Sequence, residues 1–275
     1  MRDLLNGPWA LAEEYLRTAY QAFRTAGPMV AAASTPDPIR EGATIIIPLR
    51  GVMTPRGSWL GMGTDAFADL VRTAGADPKV GAIVLDIFSP GGSTFGTEEA
   101  ALAVFEARKA KPVVAVANHL AASAAYWVAS QATEFYATPS SMVGSVGVYS
   151  MHVDESKLLD DMGVKVTLVS AGPKKLDGNP FEPLGEQARA DIQSSVNLTY
   201  DQFLSAIARG RGEPKSGVEA KHGRGASVDA PVAHAAGMID GVMTLREAVA
   251  KVGSSRSRLS LMRRNAAALE ALYSL

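Results

Sequence analysis

Cysteine is missing from all 275 residues, which removes disulfide frameworks, thiol nucleophiles and thiolate metal sites from consideration. An excess of either charge is missing as well: Lys+Arg 27 against Asp+Glu 28 leave a formal net charge of -1. Such a balance provides no whole-chain attraction to nucleic acid or anionic lipid, so neither is expected as a partner, although a local basic patch is compatible with it. The opening Met1-Arg2-Asp3-Leu4-Leu5-Asn6-Gly7-Pro8 has one base, an early acid and no apolar stretch before Gly7-Pro8, so no export signal is expected. A long uninterrupted apolar run is also lacking. The strongest candidate, Pro112–Ala132, carries Asn118, His119, Ser123, Ser130 and Gln131, polar groups that a lipid-spanning helix would have to bury without water. It reads instead as a buried strand followed by a helix, in a cytoplasmic protein with no membrane anchor.

What is present is ordinary globular material: 47% hydrophobic and 20% charged residues, in a chain long enough to bury roughly 70–75% of its unfolded surface without staples. The pattern predicts an amphipathic helix over Trp9–Arg24, a linker over Ala31–Glu41, and an ordered unit from 43 to 253 followed by a basic tail, 254–275. Within the unit, strands are expected at Ala43–Leu49, Val80–Phe88, Val113–Ala117, Glu134–Ala137, Ser145–Met151 and Val164–Val169. Helices are expected from Thr64 to Gly75, from Thr97 to Lys111, over 122–133, Asp154–Met162, Leu184–Arg209, Ala230–Ala236 and Thr244–Val252. Arg211–Ala226, rich in Gly, Lys and Arg, reads as a mobile loop. Strand and helix alternating every 25–30 residues predict an α/β fold with a mostly parallel sheet. No internal repeat is found.

Three segments could carry chemistry. Ser89-Pro90-Gly91-Gly92-Ser93 follows a buried strand and precedes a helix. Its glycines permit a sharp turn with unobstructed N–H groups that could hold an oxyanion, or it is a plain strand-to-helix turn. Ala121-Ala122-Ser123-Ala124-Ala125-Tyr126-Trp127 puts a serine among alanines at a strand-to-helix junction, where it is either a nucleophile or only a helix cap. Ala171-Gly172-Pro173-Lys174-Lys175-Leu176-Asp177-Gly178-Asn179-Pro180 holds two lysines. An amine serves as general base only when desolvation keeps it neutral, and otherwise the pair is a solvated turn.

From about Ile45 to Val252 the chain resembles the serine–lysine signal peptide peptidase A family, which shares the Clp protease/crotonase-type fold. The resemblance rests on Ile47-Pro48-Leu49-Arg50-Gly51, the Ser89-Pro90-Gly91-Gly92 turn, the Ala-Ser-Ala-Ala-Tyr-Trp segment, Gly144-Ser145-Val146-Gly147-Val148 and the loop from Gly172 to Pro180. Within that family it is most similar to the phage and prophage head-maturation (capsid assembly) proteases, through the Trp9 segment, Asp177-Gly178-Asn179-Pro180-Phe181-Glu182-Pro183-Leu184 and Ala208-Arg209-Gly210-Arg211-Gly212. The resemblance implies Ser123 as nucleophile, Lys175 as its general base with Lys174 as competitor, and Ser145 as the hydroxyl that orients the lysine. It further implies an oxyanion hole from the N–H groups of Gly91 or Gly92 and of Ala124. Family members often have Gly-Gly after the nucleophile where this chain has Ala124-Ala125, which implies a narrower site with its donors intact. No cofactor or metal is implied. A homo-oligomeric ring sharing sites between subunits is implied, acting on scaffold or capsid proteins in the host cytoplasm or a phage procapsid.

Histidine discriminates among mechanisms. A Clp-type triad needs a histidine roughly 25 residues after Ser123; that position is Val148, with His152 nearby and His119 just ahead of the serine. His222 and His234 read as surface residues. A crotonase-type acyl-CoA enzyme would leave Ser123 and Ser145 without purpose, and an inert assembly protein would have no need to retain Ser123 and Lys175.

Overall fold

The structure is a computed structural model describing residues 8–12, 15, 36–58 and 61–254. In chain order its strands and helices are β1 (Trp9–Leu11), β2 (Ile39–Glu41), β3 (Thr44–Arg50), α1 (Thr64–Ala76), β4 (Ala82–Ser89), β5 (Gly91–Ser93), α2 (Thr97–Ala110), β6 (Val113–Ala122), α3 (Ala124–Ala129), β7 (Glu134–Ala137) and β8 (Met142–Gly144). There follow α4 (Ser156–Asp161), α5 (Glu186–Arg211), α6 (Lys215–Lys221), β9 (Ser227–Asp229), α7 (Ala230–Ala235), β10 (Gly241–Val242) and a last helix, α8, over 245–254. The main sheet has the order β10-β7-β6-β4-β3-β2, with β8 also on β6 and β9 on β8. All its pairings are parallel except β2–β3 and β8–β9. The α/β, mostly parallel architecture expected from the alternation of elements is present.

The alternation of side chains along a strand explains why β4 is almost wholly apolar. Ile83, Leu85 and Ile87 face one core, which holds Phe67 and Val71 of α1 and Val104 of α2. Ala82 and Val84 face another, closed by Ala248 and Val252 of α8. A strand covered on both faces has no room for polar alternation. α2 carries Glu98 and Glu99 in its first turn and Arg108 and Lys109 in its last, complementing the helix dipole as expected.

Several elements differ from expectation. Trp9–Leu11 is not the start of a helix. It is a strand antiparallel to β5, with Trp9 also bridged to Tyr149, because two backbone edges flank it and outweigh local helical periodicity. The rest of the expected helix, apart from Ala12 and Tyr15, lies outside the described residues, as does the basic tail beyond 254. Ile39–Glu41, expected within a linker, pairs with β3. The strand expected at Ser145–Met151 falls earlier, at Met142–Gly144. Val164–Val169 forms no strand and is exposed. Indeed no residue from 147 to 187 is buried, so β-branched composition there finds no sheet edge to pair with. Arg211–Ala226 is not an open loop. It contains α6 and packs Val218 and His222 into the interior.

Candidate active site

β6 delivers Ser123. The strand is paired with β4 in unbroken register to Ile87↔Ala117, after which Phe88 faces Leu120, so Asn118 and His119 are extra residues looped out of the ladder. His119 takes up the irregularity with φ 87, and the Asn118 amide donates to Asp86 Oδ1 at 3.0 Å, a carboxylate also paired with Arg50. Before the irregularity β6 pairs with β7; after it β6 pairs with β8. The expected strand at Val113–Ala117 thus continues to Ala122, and the chain turns at Ser123 into α3.

Ser123 has φ 56 and ψ -119, a conformation that costs a non-glycine residue of order 1–3 kcal/mol and persists only when its surroundings enforce it. The enforcing contacts are a bond from its N–H to Gly144 O at 2.7 Å and one from Trp127 N–H to its carbonyl at 2.9 Å. A serine on such a strand-to-helix turn presents its hydroxyl outside the regular ladders. The side chain is 1% exposed, and its Oγ is buried without a hydrogen-bond partner among the described residues. It does not cap α3. Leaving a buried hydroxyl unpaired is costly, and such groups concentrate where a reacting partner is to be received.

Across from it stands the Pro90-Gly91-Gly92 turn. Gly91 has φ +94, and a Cβ there would lie 2.2 Å from Ala10 O and 2.8 Å from Ala124 N. The carbonyl of Ala10 and the amide of Ala124 therefore crowd the same point above Gly91. At Gly92 a Cβ would fall 1.9 Å from Met53 O, so the turn requires glycine at both positions. Gly91 N–H donates to Ser89 Oγ at 3.2 Å, and Ser89 in turn donates to Gly51 O at 2.7 Å. Gly92 lies opposite Ala10 in the β1–β5 pair. Gly91 thus lies against Ala122 and Ala124, the residues that flank Ser123, and Gly92 follows it in β5 against Met53. Ser145, directly after the carbonyl that pins Ser123, sits at φ 52 with its N–H bonded to Ala226 O at 2.8 Å.

The lysines are elsewhere. Lys175 is exposed in the unburied 147–187 stretch and makes no hydrogen bond to Ser123 Oγ. Lys174 pairs with Asp191, whose carboxylate raises its pKa by hydrogen bond and charge, the wrong direction for a general base. Neither candidate histidine bonds the serine: His152 Nε2 pairs with Asn179 O at 2.9 Å, while His119 is exposed and edge-on to Phe88. His222, expected at the surface, is instead 1% exposed and bridges Tyr126 Oη at 2.9 Å and Glu213 Oε1 at 2.6 Å. Burial lowers its pKa despite Glu213, and burial raises that of the Tyr126 phenol. Tyr126 also donates to Met238 O at 2.8 Å, so this group anchors the helix carrying the serine and takes no part in the cleft. His234 is exposed as expected.

Fold and turn together set a serine and a helix start against a glycine turn on a mostly parallel α/β sheet. Residues 106–257 match the peptidase family S49, and the chain belongs to that family. It is 34% identical over 168 residues to the head-tail preconnector protein GP5 of Enterobacteria phage P21, covering 59% of this chain and 34% of that protein. It is 30% identical over 213 residues to the capsid assembly protease C of Escherichia phage lambda, covering 76% of this chain and 48% of that protein. The chain therefore spans between about a third and a half of the length of these relatives. Among solved structures, a 1510-N membrane-bound stomatin-specific protease mutant in complex with a substrate peptide matches with a TM-score of 0.50 and 15% identity, over 78% of this chain and 81% of that one. That likeness concerns the fold. Among the described residues no helix is long and apolar enough to cross a membrane.

Proposed function

We propose that this chain is a serine endopeptidase in which Ser123 attacks the peptide carbonyl and Lys175 of a neighbouring copy acts as general base. The observation that carries the reading is Ser123 itself: strained, enclosed, and with a hydroxyl left unpaired beside Gly91, Gly92 and Ala124. The amine of Lys175 takes the Oγ proton as the Oγ–C bond forms, and the hole donors hold the oxyanion. The C–N bond then breaks, the lysine passes the proton to the leaving amine, and water activated by the same lysine releases the acyl group as a carboxylic acid. Ser145, adjoining Gly144, orients the incoming lysine.

Separation of Lys175 from Ser123 within one chain supports assembly of the site between subunits. So does the run of exposed Val164, Val166, Leu168 and Val169, apolar surface that a second copy would cover. Scaffold or capsid proteins are the substrates this reading favours, since one relative is named a capsid assembly protease and another a head-tail preconnector protein. A host-cytoplasmic ring, within or beside a phage procapsid, is the setting.

A fluorophosphonate serine probe tests it. Wild-type protein should label, Ser123→Ala should not, and Lys175→Ala should label only after mixing with Ser123→Ala protein, which brings intact lysines to intact serines. Unlabelled wild type overturns the peptidase reading; failure of mixing to restore labelling overturns the shared site.

A further inference from the structure

The edges beside Ser123 are already occupied by the chain itself. Trp9–Leu11 runs antiparallel to Gly91–Ser93 with Trp9↔Ser93, Ala10↔Gly92 and Leu11↔Gly91 as partners. On its other edge Trp9 N–H donates to Tyr149 O at 2.8 Å and Tyr149 N–H to Trp9 O at 3.0 Å. Ala12 N–H reaches Pro90 O at 2.9 Å, and Thr94 Oγ1 donates to Pro8 O at 2.9 Å. Pro8–Ala12 is thus an inserted strand, paired with β5 along one edge and bridged to Tyr149 on the other, directly across the glycine turn. Ala10 is fully buried, and its carbonyl oxygen occupies the point shared by Gly91 and the Ala124 amide, where the carbonyl of a peptide under attack has to lie. An extended substrate and this segment cannot be present together.

We propose that Trp9–Ala12 is a resident substrate mimic: it fills the peptide groove in cis with Ala10 at the position facing Ser123, and the groove opens only when the segment is displaced. The backbone pairing is that of strand addition, in which main-chain bonds supply the hold and alternate side chains the selectivity. Small Ala10 sits over the glycine turn, and Ala12 packs on Leu120 and Ala122, whereas Trp9 and Leu11 share a cluster with Val52. The fit is incomplete, since Trp9 Nε1 is buried without a partner among the described residues, which suits an occupant that has to leave. The consequence for activity rests on the peptidase reading; occupation of the groove does not.

Absence of cysteine makes the test clean. Trp9 spends its N–H and C=O on Tyr149, so Trp9 and Ser93 form a non-hydrogen-bonded cross-strand pair with Cα atoms about 4.5 Å apart, a separation a disulfide accepts. Full-length Trp9→Cys/Ser93→Cys protein carrying Ser123→Ala is compared oxidised and reduced for binding of a fluorescent Pro-Trp-Ala-Leu-Ala peptide by anisotropy. Reduction should strengthen binding about tenfold or more, because a locked segment removes the competent state. Equal binding in both forms, or none in either, overturns the proposal. Ala10→Arg in the Ser123→Ala background provides a second variant, since a buried arginine has to expel the segment. It should bind the peptide more tightly than the Ser123→Ala parent while melting as a folded protein, and no gain also overturns the proposal. Fluorophosphonate labelling of the tethered protein with Ser123 intact reports the catalytic reading separately: no labelling in either redox form sinks that reading and leaves the peptide result to decide the groove.

Discussion

The N–H of Ser123 donates to the carbonyl of Gly144 at 2.7 Å, joining the end of β6 to the end of β8 at the point where both leave the sheet. Ser123, Gly144 and Ser145 have φ values of 56, 106 and 52, so one hydrogen bond closes a junction at which three residues lie in left-handed backbone space. The strain predicts an asymmetry between two variants that lack the hydroxyl. Ser123→Gly relieves the positive φ and Ser123→Ala does not, so the glycine variant should be more stable by about 1 kcal/mol despite its greater chain entropy. Urea unfolding of the two proteins compares them, and equal midpoints would count against enforced strain.

Gly92→Ala should be severe. Its Cβ would fall 1.9 Å from Met53 O and 2.6 Å from the Met53 carbonyl carbon, and both are backbone atoms that cannot swing away. A loss of about 3 kcal/mol or more is expected, together with loss of serine-probe labelling. Gly253→Ala, where a Cβ meets nothing within 4 Å, should by contrast be neutral or stabilising in the same melting experiment.

The two adjacent lysines should separate in function. Asp191 holds Lys174 charged, so Lys174→Ala should leave probe labelling within a few-fold of wild type. Lys175→Ala should slow it by about 100-fold or more, the scale of a lost general base. A reversal of the two effects would reassign the base.

Phe203 stacks on Trp127 at 4.5 Å with planes 10° apart, and Trp127 Nε1 donates to Glu98 Oε2 at 2.9 Å. Phe203→Ala, which empties a fully buried site, should cost about 3–5 kcal/mol and loosen α3 along with the serine it positions. Calorimetry and probe labelling on the same sample would register both.

His222 predicts the acid limb of stability. Its folded-state pKa is lowered by burial, so unfolding takes up a proton once the pH is under the unfolded value of about 6.5. The contribution is complete above that value and is lost as pH falls through the folded-state pKa. The melting temperature should therefore fall between pH 7.5 and 5, and His222→Gln should flatten that part of the profile.

Much of the layout was legible because it is local. Buried parallel strands read as apolar runs, and the acids and bases at the ends of Thr97–Ala110 announce a helix. The Ser-Pro-Gly-Gly and Ala-Ser-Ala-Ala strings mark the turn and the serine. What escaped is set by distant partners. Nothing within Trp9–Leu11 says that Gly91–Ser93 and Tyr149 offer it two edges. His222 lies in a polar, glycine-rich stretch yet is drawn inside by Tyr126, 96 residues earlier. Val164–Val169 has strand composition and no strand beside it. The lysine is the remaining gap: within this chain Lys175 is exposed and makes no hydrogen bond to Ser123 Oγ.

Asn118 and His119, the pair looped out of β6, have an arithmetic significance. An insertion of two, unlike one of one or three, preserves which side chains point inward, so the strand can change neighbours midway and keep its parity. Because Ile87 faces Ala117 and Phe88 already faces Leu120, the two residues add no length along β4, and the serine stands where an uninterrupted ladder would put it. What the pair supplies is slack: the strand leaves β7 for β8 there, and the Asn118 amide ties the detour to Asp86.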